Sequence, residues 1–228
     1  MKSTVGRNDR AGRTDASQSE VSVGPLGLPG HLSCPTHPLG IILFAHGSGS
    51  SRLSPRNTYV AKALNRSGFA TLLFDLLTPE EEADRRNVFD IALLAGRLCQ
   101  AIEWVSGQPR IAPLAIGLFG ASTGAAAALV AAAALKDSVA AVVSRGGRPD
   151  MAAHYLEAVQ APTLLIVGGN DTEVLDLNRS GLDRLQATKA LEIVPGATHL
   201  FSEPGALDAV VAAAAAWFES YLDPAHLA

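Results

Sequence analysis

Gly120, Ser122 and Gly124 are spaced two apart in Leu118-Phe119-Gly120-Ala121-Ser122-Thr123-Gly124, between an apolar run that begins at Ala115 and an alanine-rich run through Leu135. A strand that turns sharply at Gly-x-Ser-x-Gly into a helix lifts a serine hydroxyl clear of a sheet and sets it at the positive end of that helix. The glycines fit such a turn, because side chains at 120 and 124 would collide with the adjoining strand or helix. The pentapeptide alone would equally suit a serine capping a close-packed helix. Two further residues separate these readings. A serine hydroxyl is a poor nucleophile at neutral pH; it needs a base, and a carboxylate must fix that base's tautomer. Asp171 follows the apolar run 163–167 through Gly168-Gly169-Asn170, and His199 follows the run 190–194 through Pro195-Gly196-Ala197-Thr198. Singly, each is an ordinary loop residue. Together, in the order Ser122, Asp171, His199, they read as nucleophile, orienting carboxylate and general base. Asp176 is the fallback carboxylate, but its position falls inside the helix that follows.

The elements that must position these residues alternate along the chain. Continuous apolar runs at 40–45, 69–75, 115–119, 139–144, 163–167 and 190–194 read as buried strands. Helices are expected at 54–65, opened by Ser54-Pro55 as N-cap and first helical residue, and at 88–105, 123–135, 150–159 and 174–185, with a terminal helix from Ser202-Pro204 through Tyr221. The acidic segment 78–86 reads as a loop. Strands alternating with helices require right-handed crossovers, and hence a mostly parallel sheet with helices on both faces, to which residues 21–35 add at most two short edge strands. Ligands in such sheets bind beyond the carboxyl ends of the strands, where Ser48, Ser122, Asp171 and His199 all fall. The backbone N–H of Thr123 and that of Ser48, in His46-Gly47-Ser48-Gly49-Ser50-Ser51, are the candidate donors of an oxyanion hole. His46 is read as a support of that loop.

The 228 residues suffice for one core. Residues 1–20 are polar and read as a disordered tail, leaving 21–228 as a single domain. A formal charge of -4 without a basic stripe argues against nucleic acid. No apolar run approaches the roughly 20 residues that span a bilayer, so no membrane association is expected and the chain reads as cytoplasmic. Cys34 and Cys99 offer neither a disulfide framework nor a metal-ligand spacing, and no metal site is expected.

HGSGSS (46–51), GASTG (120–124), SRGGRPD (144–150), VGGND (167–171) and GATHLF (196–201) together resemble the α/β hydrolases, and within them the dienelactone-hydrolase-like branch, over residues 40–222. The resemblance implies an eight-stranded α/β-hydrolase sheet. It also implies hydrolysis of small esters or lactones through an acyl-enzyme, without cofactor or metal. One departure is that dienelactone hydrolases proper use a cysteine nucleophile where this elbow carries Ser122, which favours a serine esterase. Only a short helix fits between residues 144 and 163, so no large cap domain is expected and the site should be open. Arg145, with Arg52, is a candidate anchor for a substrate carboxylate; the other reading pairs these arginines with nearby acidic side chains. The same triad could serve an acyltransferase or thioesterase, and a non-catalytic binding scaffold is the alternative from another class.

Overall fold

The computed structural model describes residues 16–226. In chain order these form β1 (Ser17–Val23), β2 (Leu28–Cys34), β3 (Ile41–Ala45), α1 (Pro55–Arg66), β4 (Ala70–Phe74), α2 (Pro79–Ala83), α3 (Arg85–Val88), α4 (Ile91–Ser106), β5 (Ile116–Ala121), α5 (Thr123–Ala134), β6 (Ala141–Arg145), a 3₁₀ segment (Pro149–Ala158), β7 (Thr163–Gly168), α6 (Thr172–Arg184), β8 (Lys189–Val194) and α7 (Ala206–Leu222). The strands make one sheet in the order β1-β2-β4-β3-β5-β6-β7-β8. Pairing is antiparallel for β1 with β2 and β2 with β4, and parallel from β4 to β8.

Side chains alternate across a strand with a period of two, and the core divides accordingly. Ile41, Leu43 and Ala45 face the helices α4 and α5, whereas Ile42 and Phe44 face α1 and α7. Each large side chain fully buried this way stabilises the fold by roughly 2 kcal/mol. Helix α5 is buried from Thr123 through Ala133, on every side. Its alanines allow that, since their short side chains let the helix lie close against its neighbours on most of its surface, with Leu129 and Val130 the larger buried side chains.

After β3 the chain adds β4 on one side and β5 on the other, which puts the topological switch point at the end of β3. The register lines up the carboxyl ends there: Ala45 pairs with Gly120, Ala121 with Arg145, and Gly168 with Val194. The loops carrying Ser48, Ser122, Asp171 and His199 therefore leave one rim.

Three expectations change. Strand β1 takes up Ser17–Glu20, which the composition assigns to the polar tail, while residues 1–15 lie outside the described residues. Backbone pairing with β2 satisfies this strand, so exposed polar side chains suffice. The acidic segment holds two short helices rather than a loop. Thr78 and Glu81 form a reciprocal capping box at the first, and Asp84 caps the second. Finally, α7 starts at Ala206 behind a left-handed Gly205, not at Ser202-Pro204. Among the described residues no helix is long and apolar enough to cross a membrane. Only the 3₁₀ segment lies between β6 and β7, in the place of a cap domain.

Candidate active site

Ser122 has φ 52° and ψ −121°, one of two non-glycine residues with positive φ among those described. Such backbone costs of order 1–3 kcal/mol and persists only where the surroundings impose it. Here the Ser122 N–H donates to Arg145 O at 3.2 Å, and its carbonyl accepts from Ala125 N at 3.1 Å and Arg148 N at 3.3 Å. The glycine requirement is steric. A Cβ on Gly120 would lie 2.3 Å from Ala125 Cα, and one on Gly124 2.2 Å from Ala45 O.

The ends of β7 and β8 are joined by hydrogen bonds from Gly169 N to Val194 O (2.8 Å) and Asn170 N to Ala197 O (2.9 Å). Asp171 occupies the N-cap position of α6, yet its side chain caps nothing. Its Oδ2 instead lies 2.7 Å from His199 Nδ1. A carboxylate accepts only, so Nδ1 carries the ring proton and Nε2 is left as the acceptor. Asp176 lies on α6, exposed and paired with Arg179 at 3.0 Å. Two residues beyond His199, Phe201 is buried with φ 54°, the second such position. The His199 ring packs on the residue after β6: a Cβ on Gly146 would lie 3.5 Å from its Cε1 and Nδ1. Ser122 and His199 thus flank the Arg145–Gly146 step. Among the described residues no hydrogen bond joins Ser122 Oγ to His199; in free enzymes such contacts are commonly long and tighten with substrate bound.

The loop after β3 passes over the elbow, and a Cβ on Gly47 would sit 3.1 Å from Ser122 Cβ. Ser48 N–H donates to Thr123 Oγ1 at 2.9 Å. This contact between residues 75 apart has no signal in the sequence. His46 accepts from Leu76 N at Nε2 (3.1 Å) and lies 3.1 Å from Gly47 O at Nδ1, so Nδ1 donates. Burial pushes its pKa down, with smaller opposing effects from the Gly47 carbonyl, Asp75 and Glu82. With both nitrogens engaged, His46 ties the loop to the end of β4.

Arg52 donates from its backbone N–H to Asp75 Oδ1 (2.7 Å) and from Nη1 to Asp75 Oδ2. It is paired with an acid, as the second reading of that residue has it. Arg145 is different. The residue is 8% exposed, its Cζ stands 5.8 Å over the Phe201 ring, and Nη2 reaches Asn57 Oδ1 at only 3.5 Å. Nε and Nη1 are buried without a partner among the described residues. Burial, and then repulsion from Arg56, push its pKa down to about 10, which leaves it charged at neutral pH. Beside the β3 loop, a cavity of about 160 Å³ is lined by Leu76, Leu77, Val88 and Leu94 with Ser48 and Glu82.

The profile of the dienelactone hydrolase family matches residues 28–223. A Mycobacterium tuberculosis protein provisionally named a phosphoribosyl transferase is 56% identical over 220 residues, covering 96% of this chain and 50% of that protein. The chain therefore spans about half the length of this curated relative. The crystal structure of a dienelactone hydrolase from Anabaena variabilis is 55% identical, with a TM-score of 0.87 over 91% of this chain and 98% of that one. Est1E from Butyrivibrio proteoclasticus shares the fold at 14% identity, with a TM-score of 0.75 over 88% of this chain and 97% of its own.

Proposed function

The chain belongs to the dienelactone hydrolase family, and we propose that it cleaves small carboxylic esters or lactones through an acyl-enzyme on Ser122. The observation that carries this reading is the 2.7 Å pairing of His199 Nδ1 with Asp171 on the rim that also holds the strained Ser122. In this reading His199 Nε2 takes the Ser122 proton as Oγ attacks the carbonyl carbon. The tetrahedral oxyanion is held in part by the Thr123 N–H. Collapse breaks the bond to the leaving oxygen, which receives the proton from His199; in a lactone this alcohol stays attached to the acyl group. Water, deprotonated by the same imidazole, then releases the acid and frees Ser122.

A second feature bears on the substrate. A buried guanidinium without a carboxylate partner supports the reading of Arg145 as an anchor for an anionic group, with Arg56 contributing charge. The paired Arg52 is left out of that role. The transferase name of the M. tuberculosis relative belongs to a protein twice this length, and we do not extend it to this chain.

Labelling with a fluorophosphonate, followed by mass spectrometry, tests the reading on wild type, Ser122→Ala and His199→Ala. The expected result is one adduct on Ser122, lost in both variants. A folded wild type that takes no label would refute the acyl-enzyme and favour a binding scaffold.

A further inference from the structure

The oxyanion hole expected from the sequence uses the Ser48 N–H directly, and the structure has already committed that N–H. It donates to Thr123 Oγ1 at 2.9 Å, and Thr123 is 4% exposed. A substrate oxygen could reach the Ser48 amide only by displacing the hydroxyl. We propose instead that the Thr123 hydroxyl presents the second hydrogen bond to the substrate's carbonyl oxygen, so that Thr123 supplies two donors, its N–H and its Oγ–H, with Ser48 behind the latter. This rests on the acyl-enzyme reading above.

The chemistry of a hydroxyl suits the role. It has one proton to donate and two lone pairs. One lone pair takes the Ser48 N–H, and no acceptor for the proton is found among the described residues. Accepting a hydrogen bond polarises the O–H and makes it a stronger donor. The side chain is also held in advance of any substrate. Thr123 is the first residue of the fully buried α5, β-branching restricts its χ1, and the Ser48 bond fixes what freedom is left. The group is close to the reacting atoms, because the β3 loop at Gly47 approaches Ser122 so nearly that a Cβ would lie 3.1 Å from the serine's own. No covalent change befalls Thr123; its proton stays on Oγ1 throughout, and only the strength of its hydrogen bond changes as the carbonyl oxygen gains charge.

The alternative is that the hydroxyl only clips the loop to the elbow. Thr123→Val keeps the shape and removes both donor and acceptor, while Thr123→Ser keeps the hydroxyl. For a short-chain activated ester, Thr123→Val should lose ~10²–10³-fold in kcat with KM within a few-fold, the loss typical of one oxyanion donor. Affinity for a trifluoromethyl ketone, which forms a hemiketal oxyanion on the serine, should fall in parallel with kcat/KM. Thr123→Ser should restore both to within about tenfold. A Thr123→Val enzyme as fast as wild type, or faster, overturns the proposal. So does a loss that appears in KM and thermal stability while the ketone binds as tightly as before. If wild type hydrolyses the ester and labels at Ser122 but Thr123→Val behaves as wild type, only this inference falls. A wild type that neither hydrolyses nor labels removes the acyl-enzyme reading beneath it.

Discussion

Replacing Gly124 by alanine tests whether close backbone approach is what holds the elbow. The added Cβ would lie 2.2 Å from Ala45 O, 2.4 Å from His46 O and 2.7 Å from Ala45 C, all of them backbone atoms that no rotamer change can move. Relief requires the end of β3 and the start of α5 to part by about 0.8 Å, the shift needed to reach 3.0 Å, a separation below which real Cβ contacts essentially never fall. Overpacking of this kind costs ~1–3 kcal/mol. At ~2–4 °C per kcal/mol for a chain this size, Tm should drop by roughly 2–12 °C. The same shift moves the β3 loop away from Ser122, and a ~1 Å misplacement near reacting groups can cost ~10²-fold in rate. Fluorophosphonate labelling of Ser122 should therefore slow by about that factor in protein still folded by circular dichroism. Gly205→Ala is the control. Gly205 has φ 78° and open space around its Cβ position, so alanine there brings backbone strain of ~1–2 kcal/mol and an unchanged labelling rate. A Gly124→Ala protein that labels within about threefold of wild type and melts within about 1 °C of it would refute the steric argument.

Three further outcomes follow from the site. Asp171→Asn should leave the fold intact and lower kcat for a short-chain ester by about 10⁴-fold, since an amide no longer enforces the Nδ1–H tautomer; a loss under about tenfold would remove Asp171 from the mechanism. Arg145→Ala should cost more on an ester bearing a carboxylate than on its neutral counterpart, and equal losses on the two would discard the anion anchor. Burial holds the His46 imidazole below its ordinary 6.5, so the unfolded chain takes up a proton that the folded protein refuses. The stability this contributes is complete above about pH 6.5 and drains as pH falls through the lower folded value. Urea unfolding between pH 7.5 and 5 should show a steeper loss in wild type than in His46→Asn, and parallel slopes would refute it.

The sequence by itself determined the six central strands, the elbow and the family, because these rest on local properties. A continuous apolar run such as Ile41–Ala45 can only be satisfied between two helical layers. Gly120 and Gly124 mark where backbone must pass within contact of backbone, and Asp171 and His199 follow strand ends that lie on one rim in a parallel sheet. Local signals exist for the short helices too: Thr78 and Glu81 spell a capping box at the start of the acidic segment. What only the tertiary structure decided is which groups bond across those loops. Composition could not foretell that polar Ser17–Glu20 would pair with β2, since edge pairing draws on backbone groups that every sequence carries. No local signal separates Arg145 from the accompanying Arg52 by partner; the fold sets Asp75 beside Arg52 and leaves Arg145 buried over Phe201. Thr123 and Ser48 meet because Ala45 and Gly120 are partners in register, and register is a property of the whole sheet that neither segment contains.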